Sequence, residues 1–163
     1  MAKILNVRFF DLDHEIEVFF NCSIQRLQNK FLTTHSYRNE ASKALLHLLK
    51  CPTSRNSVIV LPPSGLMGGY LRAIKKSKGF TVALNDRPEN ILERITFYDL
   101  DSQPIEKILT SKEKPHYLRE IKKDITYFRK TYERATCKVK EVLEAFSKNP
   151  VKKTGDIQQN FFY

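Results

Sequence analysis

The stretch SVIVLPPSGLMGGYLRAIKK (residues 57–76) predicts a buried strand over residues 57–61, a turn rich in proline and glycine, and a helix to about residue 76. A glycine-rich turn between a strand and a helix is where many proteins hold nucleotide phosphates. A P-loop needs the spacing G-x-x-x-x-G-K-[ST], but Tyr70 stands five residues after Gly65, where the second glycine would be. Turn chemistry explains the stretch instead, with Gly65 expected at a positive φ after two prolines.

Predicted strands and helices alternate on both sides of this stretch. Apolar, β-branched runs predict strands at 7–10, 57–61, 80–85 and 137–139, and amphipathic patterns predict helices at 14–20, 41–49, 114–132 and 141–146. A further helix is predicted to start within NDRPENILERI (85–95), with Asp86 as its cap and Pro88 in its first turn. The sequence therefore predicts a three-layer α/β/α domain with a mainly parallel sheet and right-handed crossovers.

The net charge of +10 and the pI near 9.6 favour anionic partners, such as a nucleotide, a carboxylated small molecule or nucleic acid. A nucleic-acid-binding module needs clustered basic residues with exposed aromatics. The basic residues are spread along the chain instead, and Phe128 and Tyr132 fit a helix core better than an exposed surface. We therefore expect no nucleic-acid partner.

Three cysteines, an odd number without a C-x-x-C motif, predict free thiols in a reducing compartment. The four histidines have no zinc-binding spacing, and no apolar run approaches the length of a membrane span. The first residues lack the pattern of a signal peptide. We therefore expect a cytoplasmic protein without a membrane contact.

Two predicted features lie at one rim of the sheet, because ligands of open α/β sheets bind beyond the carboxyl ends of the strands. These features are DLD, after the first strand, and PPSG, after the second. Asp11 and Asp13 are suited to Mg²⁺ or to sugar-like hydroxyls. The alternative is that both residues only end a strand and cap a helix.

The order of these motifs resembles the shikimate kinase family of small P-loop kinases. The resemblance covers roughly residues 2–145, is strongest at 2–17 and 81–95, and is carried by MAKILNVRFFDLDHEIE (1–17), SYRNEASKALLHLL (36–49), SVIVLPPSGLM (57–67), TVALNDRPENILERI (81–95) and YFRKTYERATCKV (127–139). It implies a kinase of aromatic amino-acid biosynthesis that uses ATP and Mg²⁺ to phosphorylate the 3-hydroxyl of shikimate.

The resemblance also implies roles for residues on the substrate side. Asp13 would accept hydrogen bonds from the shikimate hydroxyls and the proton of the attacking 3-hydroxyl. Arg38 would bind the shikimate carboxylate as a bidentate fork, with Arg129 as the nearest candidate for a second arginine. Gly65 would let the backbone approach the ring closely.

On the nucleotide side, the resemblance implies that Arg94 lies beside the adenine and that Asp11 helps to hold Mg²⁺. The lid would lie at about residues 99–112, within a single domain over residues 1–148 that is followed by a loosely ordered tail, residues 149–163. The complete protein would be a monomer.

The chain departs from the family pattern in three places. No P-loop occurs in the sequence, the family's glycine triplet has become PPSG, and the lid's Arg-Pro pair is Gln103-Pro104. Since phosphoryl transfer depends on the missing groups, we expect little or no activity from this chain as it stands. We further expect that Met1 is internal to a longer protein, and that the first strand of the sheet is missing, which leaves strand edges unpaired.

Two hypotheses therefore remain open. The leading one is a shikimate kinase-like enzyme. The alternative is a non-catalytic homologue that binds a carboxylated ligand or a partner protein, which could supply the missing strand.

Overall fold

A computed structural model describes residues 2–77 and 79–140. Its helices are α1 (Ala2–Leu5), α2 (Leu12–Phe20), α3 (Ile24–Gln28), α4 (Thr34–Lys50), α5 (Gly68–Ile74), α6 (Pro88–Glu93) and α7 (Lys114–Tyr132), with a 3₁₀ turn at Pro52–Ser54. Its strands are β1 (Arg8–Asp11), β2 (Ser57–Val60), β3 (Val82–Asn85), β4 (Phe97–Tyr98), β5 (Pro104–Ile105) and β6 (Cys137–Lys140). The predicted helix at 141–146 and the predicted tail lie outside the described residues.

The strands form three two-stranded sheets in the described part of the chain. β1 pairs with β2 in parallel, and β3 pairs with β6 in parallel, whereas β4 and β5 form an antiparallel hairpin. In each parallel pair, helices lie between the two strands in the sequence, as a crossover connection requires. The predicted α/β fold with mainly parallel strands is therefore confirmed, although its parallel strands are divided between two pairs.

A cavity of about 630 Å³ lies between these two parallel pairs. Val58 and Val60 of β2 line it from one side, and Val82 and Leu84 of β3 line it from the other. No described strand pairs with the second edge of β2 or of β3. The exposed fractions of Val60 (42%) and Leu84 (54%) show how open this side of the sheet is.

The hydrophobic core lies on the other side of β2, among α2, α4 and α5. Its most deeply buried large side chains are at most 1% exposed: Leu12, Ile16, Leu45 and Tyr70. Leu12 and Ile16 are four residues apart on α2, and this spacing directs both side chains to the same face of the helix. The core thus holds α2 and α4 behind the carboxyl end of β1.

Several local predictions were wrong. Gly65 does not have the expected positive φ, since among the described glycines only Gly68 does, at 49°. Arg87 rather than Asp86 occupies the N-cap position of α6, and the Asp86 carboxylate accepts a hydrogen bond from the Arg87 backbone N–H at 2.8 Å. The predicted loop at 99–112 contains β5, because Tyr98 pairs with Pro104 across a tight turn. The helix predicted at 41–49 begins earlier, at Thr34, where Thr33 caps it.

Candidate active site

Asp11 and Asp13 lie where the chain leaves β1 and enters α2. Asp11 is the N-cap of α2, and its carboxylate accepts a hydrogen bond from the Asp13 backbone N–H at 3.0 Å. The capping alternative is therefore correct for Asp11. Asp13, two residues later, is free of that task and belongs to the first turn of the helix.

The Asp13 carboxyl stands at the mouth of a polar group of side chains, accessible to solvent on one side. The protein packed around its other side desolvates it, and the nearby carboxylates of Asp11 and Glu17 repel its negative charge. Together these effects raise the pKa of Asp13 from 3.8 to about 6. A carboxylate with such a pKa is mostly ionised at neutral pH and still basic enough to accept a proton from a substrate.

Arg38 lies on α4 and is half-buried. Its Nε atom is buried and makes no hydrogen bond in the described structure. A guanidinium presents its N–H groups as a planar fork that fits a carboxylate. Arg38 is thus a cation with a buried donor that the described residues leave without a hydrogen bond.

Tyr37 and Tyr70 complete this group, and neither was predicted as a site residue. The Tyr37 hydroxyl lies within reach of the Gln28 side chain and of the Tyr70 hydroxyl. Tyr70 lies close enough to Asp13 and Arg38 for both charges to act on it. We call Asp13, Tyr37, Arg38 and Tyr70 the polar cluster. Two glycines before Tyr70 were the available signal, because adjacent glycines at a helix start permit close packing of that helix.

The β4–β5 hairpin is fastened to the α2–α3 corner beside the polar cluster. Asp101 forms an ion pair with Arg26 at 2.6 Å, and the Leu100 carbonyl accepts a hydrogen bond from the Ser23 hydroxyl at 2.7 Å. The Ser102 hydroxyl donates to Glu17, one turn after Asp13. The predicted lid region therefore lies over the same corner of the molecule as the predicted substrate residues.

Gly65 lies apart from the polar cluster, in the turn after β2. Its backbone N–H donates to the Pro62 carbonyl at 2.7 Å, which closes the turn. A Cβ on Gly65 would lie 2.6 Å from the Leu61 Cβ, so the turn has no room for a side chain. The residue borders the 630 Å³ cavity between β2 and β3.

Arg94 and Arg129 also lie outside the polar cluster. Arg94 follows α6 and forms an ion pair with Asp86 at 2.6 Å. Arg129 is an exposed residue near the end of α7, and its side chain makes no hydrogen bond or ion pair to the part of the chain that the structure describes. The roles predicted for both arginines stay predictions.

The residues present do not by themselves fit a magnesium–triphosphate site. Within residues 2–77 and 79–140, no three His, Cys, Asp or Glu side chains converge as metal ligands, and Asp11 already caps a helix. The sequence contains no G-x-x-x-x-G-K-[ST] motif for the phosphates. Further donors would have to complete such a site.

Two other sequence predictions concern the environment of the protein. All three cysteines are unbonded and partly buried, which confirms the prediction of free thiols. None of the helices in the described residues has the length and apolar character needed to cross a membrane.

Comparisons with known proteins agree with this arrangement. A family model described as shikimate kinase matches residues 1–149. The crystal structure of shikimate kinase from Bacteroides thetaiotaomicron is 20% identical, with a TM-score of 0.66 over 91% of this chain and 88% of that chain. The shikimate kinase from Aquifex aeolicus is 27% identical, with a TM-score of 0.57 over 92% and 87% of the two chains. No curated protein sequence matches significantly.

Proposed function

Since this chain belongs to the shikimate kinase family, as its motifs predict, we propose that it binds shikimate and presents the 3-hydroxyl for ATP-dependent phosphorylation. The observation that carries this proposal is the polar cluster, which combines a basic carboxylate with an unpaired arginine donor beside the carboxyl end of β1. A ligand with both hydroxyl groups and a carboxylate is complementary to this combination.

Each of the proposed substrate-binding residues has one role. Asp13 accepts the proton of the 3-hydroxyl, for which its raised pKa is suited. The Arg38 guanidinium binds the ligand carboxylate through two parallel N–H groups. Arg129 on α7 provides a second positive charge for the same carboxylate. Gly65, in the turn after β2, would lie beside the ligand ring, as the family resemblance implies.

The nucleotide side depends on ATP and Mg²⁺, which supply the phosphoryl group and neutralise its charge. Asp11 is the acidic residue nearest to this task, and Arg94 would lie beside the adenine while paired with Asp86. The lid at 99–112 would shield the site from water within a single domain over residues 1–148. The donors for the triphosphate are not among the motifs of this chain. We further propose that the protein is cytoplasmic and monomeric.

Calorimetry with shikimate tests the substrate side directly. We expect binding by the chain, and a loss of about 1.5–3 kcal/mol of binding free energy in Arg38→Ala, since a charge-assisted contact disappears. Asp13→Asn should bind weakly but measurably. Lys43→Ala on the same helix, an exposed lysine paired with Glu40, is the matched control and should bind like the parent chain. Equal affinity of Arg38→Ala and Lys43→Ala would contradict the proposed site.

Turnover requires a second experiment, because binding alone does not establish a kinase. A strand followed by a G-x-x-x-x-G-K-[ST] loop, fused before Met1, should give shikimate-dependent ADP formation. The same fusion with the loop Lys changed to Ala is the control. A fusion that binds shikimate without turnover would support a non-catalytic homologue instead.

One observation favours a second candidate function, the binding of a partner protein through a β-strand. Among the described strands, β2 and β3 each have one unpaired edge beside the same cavity, and each edge offers backbone N–H and C=O groups. A strand inserted between them would pair with both edges at once, which is the geometry of β-strand addition.

The residues beside this gap indicate what such a strand would carry. Along β2, Val58 and Val60 line the 630 Å³ cavity, whereas Ser57 and Ile59 line a second cavity of about 400 Å³ on the opposite face. The 630 Å³ cavity is lined mainly by apolar side chains and reaches β3, whereas about half of the side chains around the 400 Å³ cavity are polar. The occupant would therefore be apolar on the face that is turned towards the larger cavity.

A peptide with five consecutive apolar residues, one of them tryptophan, provides the test. The chain contains no tryptophan, so the peptide fluorescence alone would report binding. We expect Leu84→Lys, at the gap, to abolish binding and Val18→Lys, an exposed position on α2, to leave it unchanged. Binding that survives Leu84→Lys, or no binding by the parent chain, would exclude this partner mode.

A further inference from the structure

Tyr70 is buried in an unusual way. Its side chain is 1% exposed, yet its hydroxyl makes no hydrogen bond of acceptable geometry, although Tyr37 lies within reach. Buried tyrosine hydroxyls normally have a partner, because an unsatisfied polar group in the interior is destabilising. A phenylalanine at this position would fill almost the same volume without leaving a buried hydroxyl unpaired.

Within the described residues, the second buried side-chain polar atom without a hydrogen bond is Nε of Arg38, in the same polar cluster. Both groups are donors: the Arg38 N–H always, and the Tyr70 O–H because burial raises its pKa far above the ordinary value. Two unpaired donors in one cluster call for an acceptor with two oxygens. A carboxylate has that form, whereas a water molecule would accept from both but return two donors of its own.

Close packing of α5 against α4 brings the two donors together. Gly69, which precedes Tyr70, lies against Ser42, and a Cβ there would stand 3.2 Å from the Arg38 carbonyl and nearer still to the Ser42 side chain. Arg72 fastens the helices one turn later, donating to the Asn39 side chain at 2.8 Å. The position of Tyr70 relative to Arg38 is therefore fixed by the fold.

We propose that Tyr70 is a substrate-contacting residue, whose hydroxyl donates a hydrogen bond to one oxygen of the ligand carboxylate that the Arg38 fork binds. The inference rests on the proposed function for its site and adds to it a residue that selects for a carboxylate. The Tyr70 hydroxyl is covered in this structure, so the ligand would displace neighbouring side chains of the polar cluster to reach it, and the contact would then be desolvated.

The variant Tyr70→Phe removes only the hydroxyl. We expect its Kd for shikimate to rise about tenfold or more. Its Tm should be unchanged or higher, since the hydroxyl has no hydrogen bond to lose. Cyclohexanecarboxylate, which has no ring hydroxyls, should lose affinity by the same factor. Tyr127→Phe, an exposed tyrosine on α7, is the matched control and should change neither quantity.

Other results would overturn the inference. Unchanged affinity, with or without a fall in Tm, would mean that the hydroxyl serves only the fold, and a loss seen with shikimate but not with cyclohexanecarboxylate would exclude the carboxylate contact. If the parent chain does not bind shikimate, the proposed function fails on its own account. Quinate and cyclohexanecarboxylate then decide Tyr70: a tenfold weaker binding of either acid by Tyr70→Phe supports the contact, and no difference or no binding overturns it.

Discussion

The two regions on either side of the gap between β2 and β3 are packed very differently. We call residues 8–77 the α4 region and residues 79–140 the α7 region. All nine residues of the buried hydrophobic cluster belong to the α4 region. In the described part of the α7 region, the buried hydrophobic side chains are Val82, Ala83 and Ile121.

This difference in packing distinguishes a region with a closed hydrophobic core from a region whose apolar strand residues face a cavity. The α4 region carries the polar cluster, and its side chains are held by a closed core, so the polar cluster is preorganised. The α7 region turns apolar strand residues such as Leu84 towards a cavity. Its packing would be completed by whatever occupies the gap.

Truncation of one leucine in each region should give the largest contrast. Leu45→Ala removes a side chain that is 1% exposed, and we expect it to lower the free energy of unfolding by about 2–5 kcal/mol. Leu84→Ala, 54% exposed, should cost about 0.5 kcal/mol or less. Urea unfolding followed by circular dichroism measures both. A comparable loss in the two variants would contradict the proposed difference in packing.

A pair of glycines offers a smaller contrast of the same kind. In Gly69→Ala the new methyl group would overlap Ser42, and we expect a loss of about 1–3 kcal/mol. In Gly79→Ala the nearest atom lies 3.6 Å away, so the change should be about 0.5 kcal/mol or less. Because Gly69 also positions Tyr70, the first variant should bind shikimate less tightly as well. Equal unfolding free energies for the two variants would show that α5 can move away from α4.

Sequence patterns predicted the elements whose side chains follow a regular period. β2 lies within its predicted range, and α7 begins at the predicted Lys114. Both elements have a clear local pattern, a β-branched run in β2 and apolar residues three and four positions apart in α7, and such patterns are the main sequence signal for secondary structure. The β4–β5 hairpin was missed because its strands are two residues long and depend on a turn held by the Asp99 carboxylate. The cap of α6 was predicted at Asp86, one residue before the observed N-cap position. The Asp86 carboxylate instead accepts hydrogen bonds from the side chains of Arg94 and Asn90.

Members of the polar cluster were singled out from the sequence where they lie in a local family motif, and were not singled out where their position depends on packing. Asp13 and Arg38 lie in short recognisable motifs, and the structure places both beside Tyr70. A tyrosine in a helix is most often a core residue, so its sequence position alone says nothing about an unpaired hydroxyl. Only the contact of Gly69 with Ser42 reveals why Tyr70 faces the polar cluster.

Asp13 in the α4 region and Asp86 in the α7 region should contribute to the free energy of unfolding with pH dependences of opposite sign. The pKa of Asp13 is raised to about 6, chiefly by desolvation, so the folded protein holds this proton more tightly than the unfolded chain. Its contribution to the free energy of unfolding therefore falls as the pH rises from about 4 to about 6. Hydrogen bonds, first of all from Arg94, lower the pKa of Asp86, so its contribution is present above 3.8 and is lost as the pH falls further.

Unfolding curves of Asp13→Asn and Asp86→Asn between pH 3 and pH 8 measure these responses. At pH 7 we expect Asp13→Asn to be more stable than the parent chain and Asp86→Asn to be less stable, in both cases by less than the loss expected for Leu45→Ala. Both differences should shrink towards acid pH. The same sign for the two variants at pH 7 would contradict the assigned environments.

The smallest expected effect concerns the hairpin that connects the two regions. Arg26 and Asp101 are both about 60% exposed, so their ion pair should contribute only about 0.2–1 kcal/mol. Arg26→Ala should therefore speed amide hydrogen exchange in the hairpin about two- to fivefold, and the difference should shrink in 1 M salt. Lys123→Ala removes a similarly exposed ion pair within α7 and should not alter that exchange. Because the Ser23 and Glu17 contacts would remain in Arg26→Ala, a much larger acceleration would mean that the ion pair alone holds the hairpin over the polar cluster.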